Sequence, residues 1–457
     1  MNRRVLLALS AAFALTLPWV VVGGATTILP WLTSQVGLGY QAPSVLATLS
    51  TLETVFVTGL AVLGSAFLLA WAAETAEKDV PQAFAIAVLA VLAVAPEYAV
   101  DALYAWNAGT PRGAEAGNLA VANMTGANRI LIGLGWAGVA LFTIYRAGAS
   151  VDPAVRNRRG ILSDSVVLDR EIGLEVVFLL LATLWAFLVP LNGGIDILDM
   201  VVLVGLYACY IAVIIRGDVE PDMDHVGVPA YLQHLPKRLR IATVFGLFVY
   251  SGTMIFTAVE PFAHGLEFLG EGIGIPSFFM IQWIAPLASE APELIVVVYL
   301  VNKARSTAGF NALISSKLNQ WTLLIGTLVV VHSIALGHYG VLAFDFKQEA
   351  EIWLTAAQSF FAVSLLIRFE ISVTEALTLL VLFLSQVLLE FIIIRDFVTL
   401  PVSSTELLLA YTIVYVVLGV TLFVQRRREF WLLLRRTAGT IGDAMSPGDG
   451  RAHRADD

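Results

Sequence analysis

Long apolar stretches separated by short polar ones run along almost the whole chain. Each stretch is about 17 to 25 residues or longer, enough to cross the hydrocarbon core of a bilayer as a helix. Twelve spans are predicted, at residues 5–28, 44–73, 81–106, 117–145, 172–190, 197–215, 241–263, 273–301, 308–336, 352–368, 373–394 and 404–424. The polar segments leave no room for a separate soluble domain. We therefore expect an all-α polytopic membrane protein with 11 or 12 transmembrane helices.

Composition and charge agree with this interpretation. Of the 457 residues, 58% are hydrophobic and 14% charged, whereas soluble proteins carry about 25% charged residues. If the N-terminus is inside, the inner segments hold 22 Lys and Arg and the outer segments three, Arg112, Lys347 and Arg395. Basic residues accumulate in cytoplasmic loops, so the bias predicts a multi-pass cell-membrane protein with a cytoplasmic N-terminus. The first span also fits a cleaved signal peptide, and a net charge of −9 argues against nucleic-acid binding.

An internal duplication organises the chain. Residues 81–145 match 273–337, and the odd number of spans between the two starts gives the copies opposite orientations. The divisions expected are an N-terminal helix or signal peptide with an outer loop, a first half, a cytoplasmic loop, a second half, an extra C-terminal helix and a cytoplasmic tail, at 1–43, 44–216, 217–240, 241–394, 395–425 and 426–457. Inverted repeats are typical of secondary transporters, whose ion sites lie near the membrane midplane.

Each copy carries the tripeptide Ala-Pro-Glu inside an apolar helix, ending at Glu97 and at Glu293. A charged carboxylate in mid-membrane costs about 2.5 to 3.5 kcal/mol on insertion scales, so its repetition indicates a function. Pro96 and Pro292 should each interrupt the helix and free the carbonyl oxygen four residues earlier. Carboxylate and carbonyl oxygens together suit a hard cation. The alternative is a pair of kinks used only for packing.

Further polar side chains flank the two glutamates. Glu290 and Ser289 lie about one turn before Glu293, and Asp101 lies one turn after Glu97. Like charges in a low-dielectric site cannot all stay ionised when it is empty, so at least one should hold a proton that an arriving cation displaces. This is a physical route to antiport. Asp101 fits equally well as an interfacial acid.

The helix that follows each Ala-Pro-Glu segment supplies amides and hydroxyls as neutral ligands. These polar residues are Asn123, Asn128 and Arg129 in the first copy and Ser315, Ser316, Lys317, Asn319 and Gln320 in the second. Lys317 either snorkels to the surface or points inward and neutralises a glutamate. We expect the inward orientation, because Glu290 otherwise has no counterion. Arg129 is a second candidate for such pairing.

With these residues, the two segments resemble the alpha repeats of the calcium/cation antiporter superfamily, the sodium/calcium exchanger membrane region, and the chain is similar to a divergent prokaryotic member. The resemblance covers 81–145 and 273–337, and Gly-Ala-Asn at 126–128 is close to the family pattern. It implies a secondary active antiporter that exchanges Ca²⁺ or Na⁺ for Na⁺ or H⁺ by alternating access. It also implies that Glu97 and Glu293 bind the metal cation together with the amides of Asn123 and Asn128, and that no cofactor is needed beyond the transported cation.

Departures from the family pattern favour proton coupling over sodium coupling. The family commonly has hydroxyl residues at two positions shortly before the proline. At these positions this chain has Ala93 and Val94 in the first copy, and Ser289 and Glu290 in the second. Lys317 stands where the family places a neutral or acidic ligand, so its ammonium could occupy the space of a cation. A proton-coupled monovalent cation exchanger that does not move calcium remains the alternative.

Other classes of function fit the sequence less well. An anion carrier would need basic residues facing the pathway, and an intramembrane enzyme would need motifs such as HExxH or GxSxG, which are missing. Acidic residues alternate over 218–224 like calcium ligands, but the glycine and final glutamate of an EF-hand loop are missing, which favours a solvated linker. Cys209 is expected to pack between helices. The partners expected are inorganic cations and the lipid bilayer, with no required protein partner.

Overall fold

The computed structural model describes residues 3–24, 49–80, 94–110, 113–147, 152–156, 162, 164–216, 227–397 and 401–445. The α-helices are α1 (Arg3–Gly23), α2 (Thr51–Ala76), α3 (Ala95–Ala108), α4 (Gly113–Ile130), α5 (Ala137–Ala147), α6 (Gly173–Ala186), α7 (Ile197–Arg216), α8 (Val228–Leu232), α9 (Lys237–Ile273), α10 (Ser277–Asn302), α11 (Ser306–Asn319), α12 (Ile325–Leu336), α13 (Phe346–Leu366), α14 (Val373–Ile394), α15 (Ser404–Gln425) and α16 (Arg427–Met445). The strands are β1 (Val155–Arg156), β2 (Ser165–Val167), β3 (Gly194–Ile195), β4 (Leu342–Ala343) and β5 (Glu370–Ser372).

The predicted all-helical polytopic fold is confirmed. Within the described ranges, nine helical segments are long and apolar enough to cross a membrane, and the bent helix α10 makes ten. The predicted span 81–106 falls partly on residues 81–93, which lie outside the described residues. The predicted span 352–368 corresponds to α13, whose first turns carry charged residues.

The two repeats have matching structures. Each consists of a Pro-Glu helix, α3 or α10, followed by a long helix that contains a short π-helical stretch. These stretches join α4 to α5 over 131–136 and α11 to α12 over 320–324. Each π stretch holds one fully buried tryptophan, Trp136 or Trp321. Because π-helical turns are frequent at functional sites, their equivalent positions mark the same part of both repeats.

The repeats interlock, since α10 packs against α4 and α12 packs against α3. The crossing of α4 and α10 depends on Gly126. A Cβ atom at this position would lie 1.8 Å from the backbone oxygen of Gln282, closer than any side chain can come. A residue without a side chain therefore lets the two backbones meet at the centre of the molecule.

Helices α1, α2 and α9 pack together beside the repeats. Glycines again allow close contact: a Cβ at Gly64 would lie 2.6 Å from the backbone oxygen of Ala12. Beyond the end of α2, Arg240 of α9 donates two hydrogen bonds of 2.6 Å to Asp79. The guanidinium group holds the pKa of the Asp79 carboxyl below its usual value, so this clamp persists at neutral pH.

Two small antiparallel sheets connect the halves at opposite ends of the membrane helices. One has the order β1-β2-β5, with Val166 paired to Val155 and to Ile371. The other pairs β3 with β4, with Ile195 opposite Leu342. Strands β1 and β2 thus lie between the predicted spans 117–145 and 172–190. Each sheet joins a strand of the first half to a strand of the second.

Three further expectations concern Cys209, the predicted span 241–263 and the acidic segment 218–224. Cys209 does not pack between helices but lies exposed on α7, because its side of the helix faces away from the neighbouring elements. The predicted span 241–263 is only the middle of α9, which continues to Ile273 and ends at Gly274 with a φ of 71°. The acidic segment 218–224 lies outside the described residues.

Candidate functional site

The first Pro-Glu helix begins at its Ala-Pro-Glu motif, which was expected to contribute to the cation site. Helix α3 starts at Ala95, so Pro96 lies in its first turn, where a proline is tolerated because its missing N–H has no helical partner. The carbonyl four residues earlier, predicted to be freed, lies outside the described residues. Glu97 follows directly and is buried, with 3% of its surface exposed. The carboxylate therefore lies at a helix N-terminus, which stabilises negative charge.

The second Pro-Glu helix runs through its motif but bends there. In α10 the segments 277–291 and 293–302 meet at an angle of 51°, as expected for a proline at 292. Ser289 and Glu290, just before the bend, are buried, and Glu293, just after it, is half-buried.

The acidic side chains of the two repeats meet between α3 and α10. Glu97 lies beside the hydroxyl of Ser289 and close enough to Glu293 and Asp101 for their charges to interact. Glu290 is likewise close to both Glu97 and Glu293. The structure thus brings together acids that are nearly two hundred residues apart in the sequence. Asp101 is 1% exposed, so its side chain faces neither solvent nor lipid.

Amides from the partner helices hold two of these acids. Asn123 of α4 donates a hydrogen bond of 2.9 Å to Asp101, and Gln320 donates one of 2.6 Å to Glu290. Each amide bonds through its nitrogen, and its own oxygen is buried with no hydrogen-bond partner among the described residues. One carboxylate oxygen of Asp101 and one of Glu290 are also buried without a partner. Buried oxygens are normally bonded, so these four atoms are available to a cation.

Lys317 lies fully buried between the repeats. Its Nζ donates a hydrogen bond of 2.7 Å to Oδ1 of Asn128 and lies 4.1 Å from the centre of the Trp321 ring. It is also close enough to Glu290 for their charges to interact. The amide nitrogen of Asn128 donates to the backbone oxygen of Met124 at 2.8 Å. Both ends of Asn128 are therefore occupied, and its oxygen already faces a positive charge.

Arg129 pairs elsewhere. Its Nη2 lies 2.6 Å from Oε2 of Glu351 on α13, and its Nη1 donates to Gln386 on α14 at 3.2 Å. Arg129, the second candidate partner for a Pro-Glu carboxylate, thus bonds to Glu351 and Gln386 instead. Consecutive helical residues point about 100° apart, so Arg129 faces α13 and α14 while Asn128 faces Lys317.

Sequence reasoning missed several polar residues around the site. Gln282 of α10 donates to Thr125 at 3.3 Å and keeps its own oxygen unbonded among the described residues. Tyr98 of α3 donates a hydrogen bond of 2.9 Å to Asn319 of α11, which links the two repeats. Their signal was weak, because a single polar residue in an apolar helix occurs for many reasons. Glu351 was missed because it stands at the edge of its predicted span.

The acids between α3 and α10 with their amide and hydroxyl neighbours form an oxygen-rich group, here called the chamber, rather than a tight metal cage. Within the described part of the chain, no three His, Cys, Asp or Glu side chains are grouped closely enough to hold a metal ion. The candidate ligands are instead spread over α3, α4, α10 and the π-helical stretch at Gln320. Several acids facing one lysine leave the chamber negative, which is chemistry suited to a cation in transit.

Comparisons with known proteins agree with this geometry. The sodium/calcium exchanger protein family matches residues 50–216 and 243–392, well over half of the chain. A search of curated proteins found no match. Among solved structures, the crystal structure of the H⁺/Ca²⁺ exchanger CAX is 40% identical, covering 95% of this chain and 99% of that chain, with a TM-score of 0.78.

Two solved structures of lower sequence identity also match. The Ca²⁺/H⁺ antiporter protein YfkE is 14% identical over 81% of this chain and 98% of its own, with a TM-score of 0.50. The sodium-calcium exchanger NCX_Mj is 14% identical over 74% of this chain and 99% of its own, with a TM-score of 0.48. The family match covers both repeats and about two thirds of the chain. The chain therefore belongs to the sodium/calcium exchanger protein family.

Proposed function

We propose that this antiporter exchanges Ca²⁺ for protons across the cell membrane, using the chamber between α3 and α10. Membership of the exchanger family makes the chain a cation antiporter rather than an enzyme. Two lines of support favour calcium and protons. The 40% identical relative is an H⁺/Ca²⁺ exchanger, and the chamber holds a fixed lysine among its acids.

The observation that carries the proposal is the contact between Lys317 and Asn128. A cation bound to Asn128 would have to use the oxygen that accepts the lysine hydrogen bond of 2.7 Å. The ammonium group thus takes one cation position permanently, which leaves fewer positions than an exchanger that binds several sodium ions needs. We assign the transported cation to Glu97, Glu290 and Glu293, with Ser289, Asp101 and Asn123 as further oxygen ligands.

Proton coupling follows from the number of acids. When Ca²⁺ leaves, four carboxyl groups face one ammonium group in a site from which water is largely excluded, and they cannot all remain ionised. Protons take the place of the departing ion. An arriving Ca²⁺ then expels them, so the two substrates exclude each other and exchange is enforced without a covalent step.

Alternating access completes the proposal. The repeats form one interlocked unit around the chamber, while α1, α2 and α9 form a separate group packed beside it. We propose that this group slides along the repeats and opens the chamber to one side at a time, as inverted-repeat transporters do.

The test is a flux assay on the full chain in proteoliposomes. Vesicles carry either an imposed pH gradient or an imposed Na⁺ gradient, and ⁴⁵Ca²⁺ uptake is measured with the membrane potential clamped. We expect the pH gradient alone to drive uptake, and a protonophore to abolish it. Uptake driven by a sodium gradient without a pH gradient would identify sodium, not protons, as the coupling ion. Proton-driven sodium or potassium movement without any calcium uptake would establish the monovalent alternative.

A further inference from the structure

A second buried group of charged residues lies apart from the cation chamber. It comprises Arg129 of α4, Lys347 and Glu351 of α13, and Gln386 and Glu390 of α14, and is called the Arg129 cluster. Two acidic and two basic side chains balance each other within it. Glu351 and Glu390 are fully buried, and Arg129 is 1% exposed. Three buried ionisable groups in a membrane protein are costly, which indicates a function.

The Arg129 cluster is a continuous hydrogen-bonded line. Gln386 accepts from Arg129 at 3.2 Å and donates to Oε2 of Glu390 at 2.8 Å. Oε1 of Glu390 lies 3.3 Å from Nζ of Lys347 and accepts from Ser404 of α15 at 3.2 Å. Glu390 therefore stands between the buried guanidinium group and a lysine near the surface.

One end of the cluster reaches the outside of the molecule. Lys347 is 20% exposed, and it follows β4, so the line opens at the end of the membrane domain where β3 and β4 pair. The other end is buried and incompletely bonded. Oε1 of Glu351 and Nε of Arg129 are buried without a hydrogen-bond partner among the described residues. Such unsatisfied atoms leave room for a change of charge or hydrogen bonding in the cluster.

The buried end is also next to the cation chamber. Arg129 follows Asn128 in α4, and Asn128 holds the ammonium group of Lys317. Arg129 and Lys317 are close enough for their charges to interact. A change in the charge that neutralises Arg129 therefore changes the electrostatic potential at Lys317 and at any cation beside it.

We propose that Glu390 is a second proton-binding site, distinct from the cation chamber, and that a proton bound there weakens cation binding in the chamber. The proton enters from the end with β3 and β4 and adds to the carboxylate of Glu390. The cluster then changes from neutral to a charge of plus one, and the uncompensated field of Arg129 and Lys347 repels the cation. The inference deepens the proposed proton coupling and rests on it.

Glu390 is within charge-interaction range of Arg129 on α4 and of Lys347 and Glu351 on α13. Ser404 of α15 donates a hydrogen bond to it. The rings of Phe278 and Trp283 on α10 lie against Lys347 and Arg129, and Tyr415 of α15 is within interaction range of Arg129. Two other charged groups nearby in the sequence are engaged elsewhere. Arg395 donates to backbone oxygens at 273 and 274, and Glu406 caps α15 through Ser403.

The test measures equilibrium binding of ⁴⁵Ca²⁺ to the purified full chain across a range of pH. Glu390→Gln keeps the size of the side chain and imitates the protonated state. We expect about tenfold weaker calcium binding at neutral pH, within the range usual for coupled sites, and a shallower dependence of affinity on pH. Glu375→Gln is the matched control. Glu375 is on α14, like Glu390, and the substitution likewise removes an acid from an ion pair, here with Arg426. Its calcium binding should equal that of the wild type.

A second variant separates the charge effect from damage to the fold. Lys347→Met combined with Glu390→Gln leaves Arg129 and Glu351 as a neutral pair. The double variant should regain the affinity of the wild type while keeping the shallow pH dependence. Glu390→Gln with unchanged affinity and pH dependence would overturn the inference, as would a double variant weaker than the single one. A wild-type protein that binds no calcium would instead refute the proposed calcium exchange itself.

Discussion

At the scale of single residues, the environment of each carboxyl group decides its role more than its motif does. Glu97 and Glu293 belong to identical tripeptides, yet Glu97 lies buried at the start of a helix and Glu293 lies half-buried just after a bend. Glu290 has no equivalent in the first repeat, where Val94 stands three residues before Glu97. The two halves of the chamber are therefore unequal, and the extra acid lies on the side that also carries Lys317.

Neutralising either repeated glutamate should abolish exchange. A unit charge about 3 Å from a cation is worth roughly 5 kcal/mol at an effective dielectric constant of about 20. Glu97→Gln and Glu293→Gln should each lower calcium uptake in everted vesicles at least about a hundredfold, while the amount of inserted protein is unchanged. Glu115→Gln, at an exposed position of the first repeat, serves as the control. Normal uptake by either chamber variant would remove that glutamate from the site.

Lys317→Asn should alter the charge carried in each transport cycle without stopping transport. The substitution removes a buried positive charge and frees the oxygen of Asn128, so a further cation or proton can enter the chamber. We expect calcium uptake to respond differently to a membrane potential imposed with potassium and valinomycin. An unchanged response to voltage would mean that the ammonium group only joins α4 to α11.

How much of the site could be predicted from the sequence differs from residue to residue. The repeated motif located Glu97 and Glu293, and helical spacing placed Glu290 and Asp101 near them. The partner of Arg129 could not be predicted, because a pairing between α4 and α13 depends on tertiary packing and not on spacing. The inward orientation of Lys317 was expected from the uncompensated Glu290, but its hydrogen bond to Asn128 depends on packing between the repeats, which the sequence does not contain.

At the scale of elements, the hydrophobic pattern predicted most helices, but not their internal irregularities. Twelve apolar stretches could be counted because backbone groups in lipid must bond within helices. The π-helical stretches over 131–136 and 320–324 have no compositional signal, since they continue the apolar pattern. The strands are only two or three residues long and arise from pairing between distant segments.

The crossing of α4 and α10 provides a prediction at this scale. Gly126→Ala should push the two helices apart, because its Cβ would overlap the backbone oxygen of Gln282 at 1.8 Å. Overpacking costs about 1 to 3 kcal/mol, and backbone atoms cannot move aside as side chains do. We expect a lower unfolding temperature in detergent and a loss of calcium uptake.

A neighbouring glycine provides the control for this substitution. Gly138 lies in α5 of the same repeat, and nothing is within 4 Å of where its Cβ would be. Gly138→Ala should leave uptake intact and keep or slightly raise the unfolding temperature, since alanine favours a helix by about 1 kcal/mol over glycine. If both variants unfold at the wild-type temperature, close approach at Gly126 is not needed for stability.

At the scale of the whole molecule, the fold combines two interlocked repeats with a group of helices packed beside them. The repeats are held together by α4 against α10, α3 against α12, and hydrogen bonds such as that between Tyr98 and Asn319. The two sheets join the halves at both ends of the membrane domain. Helices α1, α2 and α9 are outside these connections and touch the repeats mainly through apolar surfaces. Apolar contacts permit sliding better than hydrogen bonds do, because they lack fixed geometry.

The orientation of the whole molecule in the membrane is the final prediction. The excess of Lys and Arg predicts that the segment between α8 and α9, with the start of α9, is cytoplasmic and that the segment between α12 and β4 is outside. Because Cys209 is the only cysteine in the chain, Cys209→Ser gives a background without thiols. Arg238→Cys, exposed in the first turn of α9, and His338→Cys, exposed between α12 and β4, each add one reactive group. A membrane-impermeant maleimide should label His338→Cys in right-side-out vesicles and Arg238→Cys in inverted vesicles only. Reversed labelling would place the N-terminus outside, whereas labelling of both from one side would contradict the parity of the spans between them.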